Sequence, residues 1–423
     1  MMKKLFALTV ISLYCFSNLM AQNTITLEQC YQTAETNYPF TAQKNILASV
    51  TEESIQKINA VWSPQLYINA QATYQSEVTS LGISIPGIEI NELSKHQYKA
   101  TLDVSQLIYD GGISKQQRSI QSSINDIEIQ KVNVEMYVIR ERINQLYLTL
   151  MQADKQIELN KNLQRELANQ SEQIKASKQF GIANQFQVDI VSAEVIKVEQ
   201  REIEIQSARE AAIKMLSQLM GVSLSQDTKF ELPAITFNVT DTISARPELK
   251  LLNLQSDLAF SQMAFADATT LPRLSLFAQG GYGRPGLNFL DDTFQFYYLG
   301  GIKLNYPLWT GNAKSHDAAI YNLNVARIEA YKQTYLINSS VQTTQQLVEV
   351  NKYAQLIEKD NEIIALKSKI KAGAQAQLDN GTLSADDFVK YLTAENDAKI
   401  NLSIHEIQLL AAQINYLTIL GKQ

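Results

Sequence analysis

Few residue patterns in this chain could support chemistry. Gly281-Tyr282-Gly283-Arg284-Pro285-Gly286 spells the glycine fingerprint of a dinucleotide site. Such a site needs the glycine turn to leave a buried parallel strand and open a helix whose N-terminus receives the pyrophosphate. Here Pro285 and a second alternating segment follow, so the pattern reads as a glycine-rich strand end and loop. His96, His316 and His405 are scattered, and the two cysteines, Cys15 and Cys30, form neither a CxxC zinc pattern nor a disulfide framework. No HExxH motif or nucleophile elbow occurs, and the acidic residues fall on solvated helix faces without a recognisable acid–base pair. No catalytic, cofactor or metal role is expected. With 37 basic against 43 acidic residues and a net charge of −6, there is no basic surplus to neutralise phosphates, which argues against nucleic acid as a partner. One acidic pair, Asp386-Asp387, remains, and its meaning depends on the elements that carry it.

With 45% apolar and 19% charged residues over 423 positions, the chain has the composition of a folded protein with more than one structural region. Lys3 and Lys4 precede an apolar run, Leu5 to Met20, too short to span a bilayer comfortably. Residues 1–21 read as a secretory signal cut after Ala21, although Leu19 stands where a small residue is preferred. Its removal takes away Lys3, Lys4 and Cys15 and leaves a net charge of −8. Tyr14 is bulky where a lipid-attachment cysteine would need a small neighbour, so Cys15 is not expected to be lipidated. Cys30, then the only thiol, reads as a small buried residue. Beyond residue 21 no run of 18 apolar residues occurs, so the exported chain belongs in the periplasm, outside the cell, or in an outer membrane as a β-barrel.

Breaker residues are unevenly spread. No Pro lies between Pro86 and Pro233 or after Pro307, and Gly181 is the only Gly between Gly112 and Gly221. The same marks occur twice. Pro39 and Pro64 recur as Pro247 and Pro272, 208 residues later, while Gly111, Gly181 and Gly221 recur as Gly311, Gly381 and Gly421, 200 later. The chain therefore reads as a tandem duplication, with eight extra residues between Pro64 and Gly111 in the first copy. We divide it into the signal at 1–21, a first repeat at 22–221, an equatorial linker at 222–245 and a second repeat at 246–423.

Each repeat predicts a helix, two strands, a long helix, a reversal and a last helix. Thr26 to Ala60 is helical in pattern, with a break near Asn37-Tyr38-Pro39. Strands of period two are expected at about 62–76 and 96–109, and again at about 272–284 and 294–308. Leu66, Ile68, Ala70, Ala72 and Tyr74 share one face against Gln65, Tyr67, Asn69, Gln71, Thr73 and Gln75, and the other three runs alternate likewise. Segments about 10 residues long with one apolar and one polar face suit a membrane barrel, although a soluble antiparallel sheet with one wet face has the same pattern. Trp62, Tyr109 and Trp309 fall at one edge of the sheet, as a membrane–water girdle would place them. Ile113 to Gln179 runs 67 residues without a breaker, about 100 Å of helix. Within it Val132, Met136, Ile139, Ile143, Leu146, Leu150, Ala153 and Ile157 form a coiled-coil seam, and Ile120, Ile124, Ile127, Val134 and Val138 form a second. In the second copy Leu347, Val350, Ala354, Ile357 and Ile364 repeat the spacing, with Asn361 interrupting it. The reversals fall at 180–184 and 380–384, where Gly181 and Gly381 end one helix and Asn184 and Ser384 cap the next.

Four strands cannot close a barrel, and bare edges are not tolerated in lipid, so other copies of the chain must complete the wall. Two copies give eight strands, a barrel filled by side chains; three give twelve and leave a lumen. The fold expected is mainly α, with long antiparallel coiled-coil helices continuing a membrane β-barrel as an α-helical tube. A soluble periplasmic coiled-coil adaptor or scaffold is the alternative, and it leaves the duplicated strand pairs unexplained.

At this point the chain resembles the TolC family of outer-membrane efflux proteins over nearly all of its mature length. The resemblance rests on Leu27…Ala34…Asn37-Tyr38-Pro39 and Ala245-Arg246-Pro247-Glu248-Leu249. It also rests on Trp62-Ser63-Pro64 and Leu271-Pro272, on Tyr109-Asp110-Gly111-Gly112 and Trp309-Thr310-Gly311, and on the two glycine hairpins, all in duplicated order. It implies a homotrimer with a 12-stranded barrel in the outer membrane of a Gram-negative bacterium, with outer-membrane lipid around it and a long periplasmic extension. As partners it implies a periplasmic adaptor and an inner-membrane transporter of the RND or ABC class. Gly181, Ile182, Ala183, Asn184, Gly381, Thr382, Leu383 and Ser384 become the implied adaptor contacts. The family carries acidic residues just after the second hairpin that line a closed entrance. Asp387, six residues past Gly381, and Asp386 beside it are the matching positions, while Lys390 stands where a second Asp is common. The other reading of both aspartates is that they complement a helix N-terminus.

Overall fold

The computed structural model describes residues 24–79, 93–239 and 245–422. The signal at 1–21 with Cys15, residues 80–92 of the longer strand connection, and residues 240–244 of the linker lie outside the described residues. In chain order the elements are β1 (Thr24–Ile25), α1 (Leu27–Asn37), a 3-10 turn (Pro39–Ala42), α2 (Gln43–Asn59), a second 3-10 turn (Ala60–Trp62), β2 (Gln65–Tyr74) and β3 (His96–Tyr109). Then come α3 (Ile113–Gln179), α4 (Gln185–Met220), β4 (Lys229–Phe230), α5 (Pro247–Thr269), β5 (Arg273–Arg284), β6 (Gln295–Asn305), α6 (Ala313–Asp379) and α7 (Ala385–Leu420). Helices α3 and α6 are both 67 residues long, and α4 and α7 are both 36; each pair begins and ends 200 positions apart. No described helix is long and apolar enough to cross a membrane.

The chain forms two compact units. The helical unit comprises the described residues up to Gln43, with Val132–Leu249 and Thr334 onward. Its core follows the predicted seam of α3: Val132, Met136, Ile139, Ile143, Leu150 and Ala153 are all buried, joined by Tyr147 on the same helix. Leu146 and Ile157, the remaining seam positions, are half-buried. In α6 the seam is weaker, with Val350 buried, Ile357 half-buried and Ala354 exposed. Asn361 donates back to the Ile357 carbonyl (2.8 Å), so the polar interruption is satisfied within its own helix. Helix α1 starts with a capping box, in which Thr26 and Gln29 satisfy each other's backbone N–H groups. Its Cys30 is fully buried, as expected, and burial pushes the thiol up to about 12. The Tyr147 hydroxyl lies 2.8 Å from the Ile25 carbonyl and 2.7 Å from that of Glu231, tying the small parallel β1–β4 sheet to α3. The Arg246 guanidinium, in the Ala245-Arg246-Pro247 motif, donates to Glu248 (2.6 Å), the Tyr335 hydroxyl (2.9 Å) and the Thr418 carbonyl (3.1 Å). It thereby ties the start of α5 to α6 and α7.

The second unit comprises Lys44–Lys131 and Lys250–Gln333. Its sheet is antiparallel in the order β2-β3-β5-β6, so the two repeats meet at β3–β5, and β2 and β6 are the edges. Strand ends differ from the expected bounds where proline intervenes. Pro64 and Pro307 lack the N–H a ladder needs, so β2 starts at Gln65 and β6 stops at Asn305. Trp62 therefore sits in a 3-10 turn before its strand, and Trp309 lies four residues past the end of β6. The β3–β5 register shifts between Leu107 and Tyr109, a bulge that the regular alternation did not foretell. After β3, the Asp110 carboxylate accepts from the N–H groups of Gly112 (2.8 Å) and Ser114 (2.6 Å) and caps α3.

Candidate functional site

The helical unit presents two hairpins of the same backbone design. At the first, the Gly181 N–H donates to the Lys178 carbonyl (3.0 Å) and the Ile182 N–H to that of Ser177 (2.9 Å). At the second, Gly381 donates to Leu378 (2.9 Å) and Thr382 to Gln377 (2.9 Å). This is the Schellman closure of a helix, and it requires the left-handed backbone that both glycines adopt, at φ +74° and +71°. The following helices are capped by the predicted residues. Asn184 and Gln187 form a reciprocal box, and Ser384 accepts from the Asp387 N–H.

The side chains on these two frames differ. Ala183 and Leu383 pack against a cluster that includes Leu163, Leu167, Ile174, Val191, Phe388 and Leu392 and joins α3, α4 and α7. Both tip residues are thus half-buried. The first tip instead points Phe180 (80% exposed), Ile182 (80%) and Phe186 (68%) into solvent. The sequence alone does not single out Phe180 and Phe186, because residue type does not tell an exposed aromatic from a core one. At the second tip Gly381 and Thr382 are exposed, and among the described residues no exposed large apolar side chain stands beside them.

Asp387 is engaged by its own helix. The Ser384 hydroxyl donates to its carboxylate (2.7 Å), and Lys390 Nζ lies 2.7 Å away. The hydrogen bond from Lys390, with that from Ser384, holds the carboxyl below the ordinary aspartate range. Lys390, one turn further on, also reaches Asp386 at 4.0 Å, so one base serves both acids of the first turn. Deeper in the unit, Glu395 on α7 is buried and accepts from Ser368 (2.6 Å) on α6, with Lys371 at 2.6 Å and Lys399 at 3.0 Å. Burial alone would raise its pKa. The hydrogen bonds from Lys371, Ser368 and Lys399 outweigh that and bring it down to about 2. Lys371 also pairs with Glu166 of α3 (3.1 Å), linking the first hairpin to the second.

In the other unit the sheet has one mainly apolar and one mainly polar face, although Tyr67, Phe277 and Leu299 share the polar one. Ile68 (81% exposed), Phe296 (86%) and Tyr298 (87%) stand on one face with Leu66, Leu102, Ile302 and Leu304, all exposed. The opposite face carries Asn69, Thr101, Asp103 and Gln279, and Asp103 accepts from all three, from Thr101 at 3.0 Å. Trp62, Tyr109 and Trp309 are exposed and adjoin the same end of the sheet, where Gln65 opposes Ser105 and Arg273 opposes Asn305. Gly281 and Gly283 lie within β5, opposite Tyr297 and Gln295 of the next antiparallel strand, with no helix after them to receive a dinucleotide.

The sequence matches no protein-family model and none of the curated proteins with which it was compared. The fold does have solved counterparts. The outer membrane protein VceC from Vibrio cholerae aligns at TM-score 0.64 and 16% identity, covering 94% of this chain and 96% of that one. CusC, whose structures were described in connection with transmembrane channel formation, aligns at 0.68 and 13%, covering 94% and 92%. The open state of the MtrE outer membrane channel from Neisseria gonorrhoeae aligns at 0.65 and 13%, covering 94% and 89%. At these identities the likeness is one of fold, and the fold is that of these solved outer-membrane channel proteins.

Proposed function

We propose that this chain is the outer-membrane exit duct of a tripartite efflux pump or type I secretion system, and that it acts as a homotrimer and performs no chemistry of its own. One observation carries the reading: a four-stranded sheet whose strands β2 and β6 are edges exposes a mainly apolar face and keeps most of its hydrogen-bonding side chains on the other. In water that face would be costly, whereas in lipid it is the required surface, and strand addition from neighbouring copies satisfies the edges. Exposed Ile337, Val341 and Val348 on α6 add a helical stripe for a neighbouring copy to cover. In this reading Trp62, Tyr109 and Trp309 mark the membrane–water boundary on the periplasmic side.

The hairpin tips are the docking points for a periplasmic adaptor, which couples the duct to an RND or ABC transporter. Asp386 and Asp387, one turn from the second tip, narrow the periplasmic entrance, and adaptor and pump open it by parting the hairpins. A deletion strain should become sensitive to toxic compounds or lose export of a protein, and the wild-type gene should restore it. In mild detergent the purified protein should run as a trimer. A monodisperse monomer, or a deletion strain with unchanged sensitivity and export, would overturn the duct.

A further inference from the structure

The polar face of the sheet carries a charge opposite to that of the chain. By strand register, the ionisable residues on this face within the four strands are Lys99, Arg273 and Lys303, against a single acid, Asp103. The chain as a whole is acidic, at −6. Asp103 is held by Asn69, Thr101 and Gln279, which disperse its charge over three hydrogen bonds. Among the described residues none of the three basic side chains is held by hydrogen bonds in this way. Lys303 lies opposite Ser275 and Arg273 opposite Asn305, and none of the three forms an ion pair among the described residues. Lys99 is positioned by stacking. Its ammonium lies 5.5 Å from the centroid of the Tyr297 ring, and the hydroxyl end of that ring sits against Gly281, where an added Cβ would come within 2.2 Å of it. Only glycine at 281 lets the tyrosine lie there and hold the lysine over the face.

Resting on the duct reading, we infer that the β section of the pore selects anionic solutes, with Lys99, Arg273 and Lys303 as the specificity-determining residues. Three copies around one lumen would bring nine cations against three dispersed carboxylates. A concave, low-dielectric wall of one sign concentrates counter-ions of the other by roughly tenfold or more at low salt. The cargo it passes best is therefore small inorganic anions and organic molecules bearing carboxylate, sulfonate or phosphate groups.

The test uses the full chain in liposomes with Ser275→Cys, on the polar face beside Lys303, and Leu276→Cys, on the apolar face. Fully buried Cys30 gives no background. Each variant is treated with an anionic (sulfonatoethyl) and a cationic (trimethylammonioethyl) methanethiosulfonate, with rates normalised to a free thiol. Ser275→Cys should react about tenfold faster with the anionic reagent in low salt. The preference should collapse toward one in about 1 M salt and in the Lys99→Gln/Arg273→Gln/Lys303→Gln background. If that triple variant fails to assemble, Lys303→Gln alone should at least halve the ratio. A ratio at or below one, or one that the neutralised backgrounds leave unchanged, overturns the selectivity while leaving the duct standing. Equal reactivity at 275 and 276, or none at either, overturns the duct itself and the selectivity with it.

Discussion

The two hairpins share a backbone and differ in what they offer. Both close on a left-handed glycine with the same pair of N–H to carbonyl bonds, and both open the next helix with a polar cap. Yet the first exposes Phe180, Ile182 and Phe186, while the second carries Asp386 and Asp387 in its first turn, Lys390 one turn on and a buried Glu395 beyond them. Duplication has kept the geometry that backbone chemistry demands and has freed the side chains to diverge. A hydrophobic tip suits anchoring, since interface energy concentrates in buried aromatics and aliphatics. A charged one suits a contact that must be made and broken.

That contrast can be broken experimentally. The largest effect is expected for Phe180→Ser/Ile182→Ser, which should abolish complementation of a deletion strain while the assembly state and melting temperature stay unchanged; the matching Asn380→Ser/Thr382→Ser should retain most activity. Equal loss at both tips would mean that anchoring is shared. Next, Glu395→Ala should cost about 2 kcal/mol in thermal or denaturant unfolding, because Lys371 and Lys399 lose their buried partner but keep partial access to water. The carboxyl falls from an ordinary 4.5 to about 2 on folding, so it stabilises the folded chain fully above about pH 4.5. That contribution fades as pH drops toward 2, and Glu395→Ala should flatten this acid limb of the stability curve.

Third, Gly181→Ala and Gly381→Ala should each cost about 1 kcal/mol. Neither site has an atom within 4 Å of an added Cβ, so the cost is that of the left-handed backbone alone. Unequal costs would show that the two frames are less alike than their hydrogen bonds indicate. Smallest in stability is Asp387→Asn, which should leave the melting temperature unresolved from wild type. In planar bilayers it should raise single-channel conductance if Asp387 lines the closed entrance, and leave conductance unchanged if it serves only its own helix.

Much of this was legible because glycine and proline act through the backbone. Gly181, Gly221, Gly381 and Gly421 marked helix ends to the residue, and the 200-residue offset between them reappears in the paired helices. The apolar periods fixed the buried side of α3 through Val132 to Ala153 and both faces of the sheet. Less legible was whatever depends on neighbours in space. The bulge between Leu107 and Tyr109 answers to β5, not to the local pattern. Exposure of Phe180 and half-burial of Leu383 depend on which neighbours the folded turn brings to each side chain. The engagement of Asp387 by Lys390 was hidden because the sequence shows the spacing but not whether the lysine reaches back.

The matched helix lengths carry a constraint on how such a chain can change. Seven residues added to α3 and α4 alone would carry one tip about 10 Å beyond the other. The shared cluster of Leu163, Val191 and Phe388 would then be out of step along its whole height. Any lineage that lengthens the structure must lengthen all four helices in concert, whereas the loops between strands can drift in size, as the eight unmatched residues of the first repeat have done. The paired coils thus act as a gauge, and mutation can rescale it only as a set.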